Sequence, residues 1–296
     1  MLETLDHVVV AVGDLDAASR DTEELLGRPA SWRGEHPGAG TANVLFRFEN
    51  TTLELLAPQG EGPVGSAIAA KLAASGEGMA ALAFGTPDAA ACAAAWRAAG
   101  LAPRGPEDGL GRDTESGAIR RWSNVYADLA ASRGVVLFAI ERRSPADVVP
   151  LCAPRAPVAS APAGLDHAVV FSDDVDASRA IYGDQLGLRL ALDRSFEKRG
   201  VRILFFRVGG VTIEIAGPLP GKEGAGDADR YGGLAWRVDD ADAARARLVG
   251  AGFDVSEVRP GAKPGTRVCT VRGRTCGVPT LLIGPDAAVP DPAAGS

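Results

Sequence analysis

The 296-residue chain has only three histidines, and two of them recur in register. His7 and His167 each stand in a Leu-Asp-His triplet. Each is followed, at the same interval, by a glutamate inside an apolar run: Glu54 in TTLELLAP and Glu214 in VTIEIAGP. Strand alternation puts His7 on the face of Leu5 and Val9, and Glu54 on the face of Thr52 and Leu56. A carboxylate flanked by Leu53 and Leu55 is very costly to bury without compensation. A divalent cation shared by an imidazole nitrogen and a carboxylate oxygen would supply it. So would a histidine–glutamate hydrogen bond, or an arginine partner such as Arg47 or Arg207, which also coincide in the repeat.

The third histidine, His36, lies in GEHPGAGTAN, where Pro37, Gly38 and Gly40 indicate a turn at the lip of a cavity. It is a candidate third ligand or general base, with an ordinary pKa of about 6.5 suited to proton transfer, or else a solvated loop residue. The run Arg120-Arg121-Trp122 offers cations and an indole. With Arg47 and Arg207, Arg121 and Trp122 are candidates to hold a carboxylate or phosphate and to stack a planar ring. An equal alternative is that the same arginines neutralise the glutamates or cover an outer face. The glycines of GAGTAN and RGGVTI form no phosphate loop, because neither segment contains GxxxxGK.

The elements that must position these residues follow from an internal repeat. Residues 5–58 align with 165–218 without an insertion, LDHVVVAVGDLDAA over LDHAVVFSDDVDAS and VLFRFENTTLELLAP over LFFRVGGVTIEIAGP. A weaker pair sets Asp88 over Asp240 and Gly100 over Gly252, so the chain reads as four modules in the order A-B-A′-B′. Each module predicts βαβββ. An apolar, β-branched strand leads into an Asp-capped helix stopped by glycine (Asp14 to Gly27, Asp174 to Gly187), and further strands follow. In B, Thr86-Pro87-Asp88 reads as a cap followed by an N1 proline and an acidic first turn. The expected organisation is a first domain over 1–143, a Pro/Ala-rich linker over 144–164, a second domain over 165–285 and a disordered tail over 286–296. GPVGSAIAAKLAASGEG belongs to the first half alone and predicts a short helix whose stripe of Val64, Ile68 and Leu72 packs into the core.

Composition bounds the function. The chain is 46% hydrophobic and 23% charged, with 31 Lys and Arg against 38 Asp and Glu and a net charge of −7. That balance argues against a nucleic-acid partner, and no apolar run has the length of a membrane span. The N-terminus is acidic before its short apolar stretch, unlike a signal peptide, so a cytoplasmic protein is expected. Four cysteines without a CxxC pair read as free thiols; Cys269 and Cys276 would lie on two arms of a hairpin.

A βαβββ module with histidine on its first strand and glutamate on its last resembles the vicinal oxygen chelate superfamily. This group includes glyoxalase I, extradiol dioxygenases, methylmalonyl-CoA epimerase and bleomycin- and fosfomycin-resistance proteins. LDHVVVAV, HPGAGTANVLF and LELLAP give the first half a particular likeness to its glyoxalase-like domain group. The resemblance implies an α+β fold of four modules paired into two domains, each a curved sheet around a cavity. It implies a divalent metal (Ni, Fe, Mn, Zn or Co) at His7 and Glu54 or at His167 and Glu214, binding vicinal oxygens of a small-molecule substrate. Glu54 and His36 are then the candidate catalytic bases of a lyase or isomerase. The B modules depart from the pattern: Ala81 (or Met79 in an alternative alignment) and Gly233 stand where a second histidine is expected, and Phe138 and Leu281 where a second glutamate is. That departure lowers ring-cleaving dioxygenase chemistry and raises a non-catalytic binding or resistance-type protein as the alternative. A and A′ sharing one cavity, through unusual pairing or a swapped homodimer, would restore a His2Glu2 set.

Overall fold

The computed structural model describes residues 2–222, 226 and 228–286. The fold is α+β, with sixteen strands among the described residues, in two eight-stranded sheets. In the first half β1 (Thr4–Ala11) leads through α1 (Leu15–Leu26) to β2 (Trp32–His36), β3 (Thr41–Arg47) and β4 (Thr52–Pro58). Then come α2 (Pro63–Ser75), β5 (Gly78–Gly85), α3 (Ala89–Ala98), β6 (Arg104–Asp113), β7 (Ile119–Tyr126) and β8 (Leu137–Arg142). These strands close into a barrel in the order β1-β4-β3-β2-β6-β7-β8-β5. Modules A and B therefore pair with each other within the chain.

The second half repeats the plan with β9 (Gly164–Phe171), α4 (Val175–Arg179), β10 (Arg189–Phe196), β11 (Val201–Val208) and β12 (Val211–Pro218). It continues with β13 (Arg230–Arg237), α5 (Ala241–Gly250), β14 (Arg259–Pro260), β15 (Thr266–Val271) and β16 (Thr280–Pro285). Its order, β10-β11-β12-β9-β13-β16-β15-β14, matches the barrel's, but the sheet stays open. The reason is local. In the barrel, β2 meets the ten-residue β6 through Gly34 with Asp113 and Glu35 with Arg112. The corresponding β14 has two residues and ends on proline, which has no N–H to extend a ladder.

The helix signals act as their chemistry dictates. The Asp14 side chain accepts from the Ala17 N–H, and Gly27 closes α1 in the left-handed region at φ 60°. Asp174 caps α4 likewise, although the helix widens into a π turn over Ala180–Gln185 before Gly187. In B the cap is Asp88, accepting from the Ala91 N–H, and not Thr86; Pro87 therefore precedes the helix instead of opening it. All four cysteines are free and buried, and Cys276 lies in the loop between β15 and β16 rather than on a hairpin arm. Of the expected tail, residues 287–296 lie outside the described residues.

Outer-face residues of both sheets (Val8, Val10, Leu53, Leu55; Ala168, Val170, Ile213, Ile215) join helix residues in one hydrophobic cluster that crosses the halves. A second cluster fills the barrel interior with Val9, Ala11, Leu56, Ala81, Ala83, Phe138 and Ile140, and Ile68 of α2 plugs into it. The α2 stripe is thus partly core: Ile68 is 8% exposed and Val64 is 38%. The segment between the halves is pinned: Arg28 reaches the carbonyls of Cys152 and Pro162, and Val149 packs on Trp32 and Leu45.

One ion pair joining the halves has Asp229 buried and Arg133 16% exposed. Arg133 Nε donates to Asp229 Oδ1 at 3.0 Å, and Ser178 Oγ donates to Asp229 Oδ2 at 2.5 Å. Asp229→Ala would leave the partly exposed Arg133 guanidinium and the buried Ser178 hydroxyl without this partner. The expected cost is about 1–3 kcal/mol, read as a lower denaturant midpoint, with Asp229→Asn losing less.

Candidate functional site in the first barrel

Register decides which polar side chains meet. Pairing of His7 with Thr52, Leu45 with Glu54, Asn43 with Leu56 and His36 with Thr41 puts His7, Glu54, Asn43 and His36 on the barrel's inner face. From β7, alternation sends Arg120 and Trp122 inward. Glycines make the space. A Cβ on Gly109 would lie 2.2 Å from Trp122 Nε1, one on Gly111 would lie 2.9 Å from Arg120 Nε, and one on Gly34 would lie 2.2 Å from Trp32 Nε1. The Arg120 guanidinium lies over both indoles, 4.6 Å from the Trp122 centroid and 5.5 Å from that of Trp32.

Glu54 is the centre. Asn43 Nδ2 donates to its Oε1 at 2.6 Å, and His7 Nε2 lies 3.3 Å from its Oε2. Arg120 and His36 approach Oε1 at 3.8 and 4.0 Å. Burial by itself would raise the Glu54 pKa, but His7, His36, Arg120 and the Asn43 amide together hold it below the usual carboxylate value. The outer nitrogens of both imidazoles are fixed. His7 Nδ1 meets Asp6 Oδ1 at 2.6 Å, and Arg142 grips Asp6 with two hydrogen bonds of 2.6 and 2.8 Å. His36 Nδ1 meets Thr41 Oγ1 at 2.8 Å.

His36 Nε2 faces two donors, Arg120 at 3.1 Å and Asn43 Nδ2 at 3.3 Å. It therefore accepts, its proton sits on Nδ1 toward Thr41, and the ring is neutral. Burial, with Arg120 and His7 adding to it against the opposing pull of Glu54, lowers its pKa to about 4. The cluster is not sealed: Glu54, His7 and Arg120 keep 6, 7 and 9% of their surface exposed, against 0% for Leu5 on the same strand as His7. Asn43 Oδ1 is buried without a partner among the described residues.

A divalent metal does not suit this donor set. The His36 lone pair that would ligate it accepts from Arg120, a cation that does not lose its proton. Glu54 is balanced by Arg120 and Asp6 by Arg142, so a further ion would leave buried positive charge uncompensated. Phe138, where the resemblance implies a second glutamate, packs edge-on to His7 with centroids 5.4 Å apart. Among the described residues no three His, Cys, Asp or Glu side chains form a metal-ligand group.

The second pair is built differently. His167 Nδ1 lies 2.8 Å from Asp166 Oδ1 and 3.7 Å from Glu214 Oε1, on the open sheet. No arginine among the described residues balances Glu214, and burial raises its pKa, with His167 opposing. The His167 pKa is also raised: burial alone would lower it, but the Asp166 hydrogen bond and the Glu214 charge prevail. In-chain pairing of A with B keeps the two His–Glu pairs apart, so no shared His2Glu2 set forms within one chain.

The remaining sequence candidates lie elsewhere. Arg47 reaches the carbonyls of Ala146 and Val149 and anchors the segment between the halves. Arg207 is exposed, and Arg121 is exposed on the face opposite Trp122. Sequence reading passed over Arg120 for Arg121, although period-two alternation pairs Trp122 with Arg120. It also passed over Asp6, whose repetition in the LDH triplet was the available signal. Asn43 carried no signal beyond its parity with Glu54.

Comparisons with known proteins agree with this architecture. Residues 5–160 match the family model described as glyoxalase-like domain, and residues 166–270 match glyoxalase/bleomycin resistance protein/dioxygenase superfamily. A 62-residue stretch is 37% identical to an ethylmalonyl-CoA/methylmalonyl-CoA epimerase of Cereibacter sphaeroides, covering 21% of this chain and 46% of that enzyme. The match thus spans about half the length of that curated relative. A mutant 4-hydroxymandelate synthase of Streptomyces coelicolor shares the fold, with TM-score 0.66 and 17% identity over 99% of this chain and 95% of that one. A hypothetical protein from Staphylococcus aureus gives TM-score 0.64 at 12% identity, over 95 and 99%.

A neutral buried histidine makes stability depend on pH. Unfolded, His36 would bind a proton near pH 6.5; folded, it does so only near 4. Its contribution is therefore fully present above about pH 6.5 and is lost as pH falls toward 4, by up to about 1.4 kcal/mol per unit. Denaturant titrations across this window should show a shallower slope in His36→Gln than in wild type.

Proposed function

The chain belongs to the glyoxalase-like domain family, with its second half in the glyoxalase/bleomycin resistance/dioxygenase superfamily, and from that premise we propose a small-molecule enzyme of the isomerase or lyase type. Its acid–base centre is the interior of the first barrel. One observation carries the reading: two imidazoles with fixed outer nitrogens, an amide and a guanidinium all converge on one buried, ionised carboxylate. Buried titratable groups gathered at such cost cluster at functional sites.

The substrate class is a small molecule with a carbonyl and a neighbouring oxygen. Glu54 is the base that takes the proton from the carbon beside the carbonyl and returns it. Arg120 and the Asn43 amide face the oxygen on which negative charge develops. Asp6, clamped by Arg142, keeps His7 oriented toward Glu54. Trp122 and Tyr126 form an apolar wall on the interior face.

A second reading is favoured by the open sheet. His167 and Glu214 are a pair without a competing arginine, and a divalent ion held there with solvent or substrate oxygens would polarise a carbonyl. Two protein donors are one fewer than catalytic sites ordinarily keep.

Proton transfer is measured directly as deuterium uptake from D2O beside the carbonyl, by NMR, with 2-hydroxyketones and methylmalonyl-CoA as probes. The thioester is included because of the partial likeness to an epimerase. Glu54→Gln should lose at least about 100-fold of the exchange rate while His167→Ala retains it. The opposite pattern moves the chemistry to the second half. Absence of exchange with any probe, with the Glu54→Gln fold merely shifted in stability, favours the binding-protein alternative.

A further inference from the structure

We infer that Asn124 and Tyr126 form a second polar end inside the first barrel, which holds a hydroxyl group of the ligand at a distance from its carbonyl. The inference rests on the barrel interior being the ligand site, and it names a group the ligand carries beyond the carbonyl and its neighbouring oxygen. Both side chains lie on β7, on the inner face they share with Arg120 and Trp122. Cross-strand pairing sets Asn124 beside Ile140 and Tyr126 beside Phe138, two members of the apolar interior cluster. Asn124 Nδ2 donates to the Tyr126 hydroxyl at 2.9 Å. Asn124 is only 9% exposed, and its Oδ1 is buried without a partner among the described residues. The bond uses the Tyr126 oxygen as an acceptor, so the phenolic proton remains to be given. Burial raises the Tyr126 pKa, against the opposing pull of the Asn124 hydrogen bond and the Arg104 charge, and keeps that proton in place.

The pair therefore presents an acceptor and a donor side by side. Turning the amide through half a turn would reverse the bond and still leave one acceptor and one donor. A hydroxyl answers both, giving its proton to one and accepting from the other. An ionised carboxylate cannot donate, and an ammonium group cannot accept. The space between the two polar ends sets the rest. Phe138 stands between them, its ring centroid 5.4 Å from that of His7 and 5.2 Å from that of Tyr126. Ala81, Ala83 and Ile140, in the same cluster, are apolar. A ligand whose carbonyl meets Arg120 and Asn43 must cross this apolar stretch before its hydroxyl reaches Asn124. Arg104 lies over the Tyr126 ring at 4.6 Å and is itself paired with Glu107, which holds the phenol from its other side. A buried acceptor left unpaired is costly, so a ligand without the hydroxyl is rejected.

The test compares 1-hydroxy-2-alkanones of four, seven and eight carbons with counterparts that carry a further hydroxyl at the far end of the chain. Dissociation constants for the full-length protein are measured by isothermal titration calorimetry. At one length or more, wild type should bind the counterpart with the far hydroxyl at least about 10-fold tighter. Tyr126→Phe and Asn124→Leu should each bring that ratio toward one, and the double variant should favour the probe without the far hydroxyl. Damage to the fold would weaken both probes alike, so the ratio separates recognition from stability. A wild type with no preference at any length, or one that binds none of the probes, overturns the inference. So does a preference that survives in both single variants. Deuterium exchange on the same probes reads the proposed reaction separately. Preference without exchange keeps the inference and removes the catalysis, whereas exchange without preference keeps the catalysis and removes the inference.

Discussion

Burying the Glu54 carboxylate in the first barrel makes a demand that much of that half answers. A carboxylate of which only 6% stays exposed is tolerable only with several donors around it, and no single strand could supply them. The A module contributes His7, His36 and Asn43 from three strands, and the B module contributes Arg120 from a fourth. Each donor then needs its own support. His7 draws in Asp6, and Asp6 draws in Arg142; His36 draws in Thr41; Arg120 draws in two indoles and the glycines that let them lie against the wall. The closed barrel and its polar interior are mutually dependent, because closure through β2 and β6 places β7 where Arg120 reaches the A-module glutamate.

The second half shows what the same motif becomes without that closure. It keeps the LDH triplet and the glutamate, and the contact of His167 with Asp166 repeats that of His7 with Asp6. With β14 cut to two residues the sheet stays open, and among the described residues Glu214 meets one imidazole at 3.7 Å and no arginine. The electrostatic outcome reverses: the Glu54 pKa is lowered and the Glu214 pKa is raised, from positions the repeat makes equivalent. Environment, not residue identity, separates the two pairs.

Much of the fold was legible because its signals are local. Strand alternation, aspartate caps, the glycine at α1's end and the repeat itself gave the module plan. The Thr86 cap was misplaced because Asp88, two residues on, competes for the same role and has the charge to prevail. Within the site, His7, Glu54 and His36 stood out by scarcity and repetition. Arg120 did not, because its importance depends on barrel closure, and closure turns on whether β6 or β14 is long enough to pair. Arg47 illustrates the converse. Its coincidence with Arg207 came from common ancestry of the modules, and its guanidinium serves the segment between the halves.

The B module's contributions to the first barrel form one pattern. Ala81 and Phe138 stand where the resemblance implies a second histidine and a second glutamate, and both are packed into the apolar interior cluster. That side of the barrel interior is apolar. Arg120 and Arg142 add two fixed positive charges, one beside Glu54 and one clamping Asp6. The Glu54 carboxylate thus has a fixed cation beside it. A guanidinium donates hydrogen bonds in fixed directions and opens no coordination position, so a bound molecule must meet it as an acceptor. On the function proposed above, selectivity in this barrel would be set by where an oxygen can reach Arg120 and Asn43, and by the indole and phenyl walls around them.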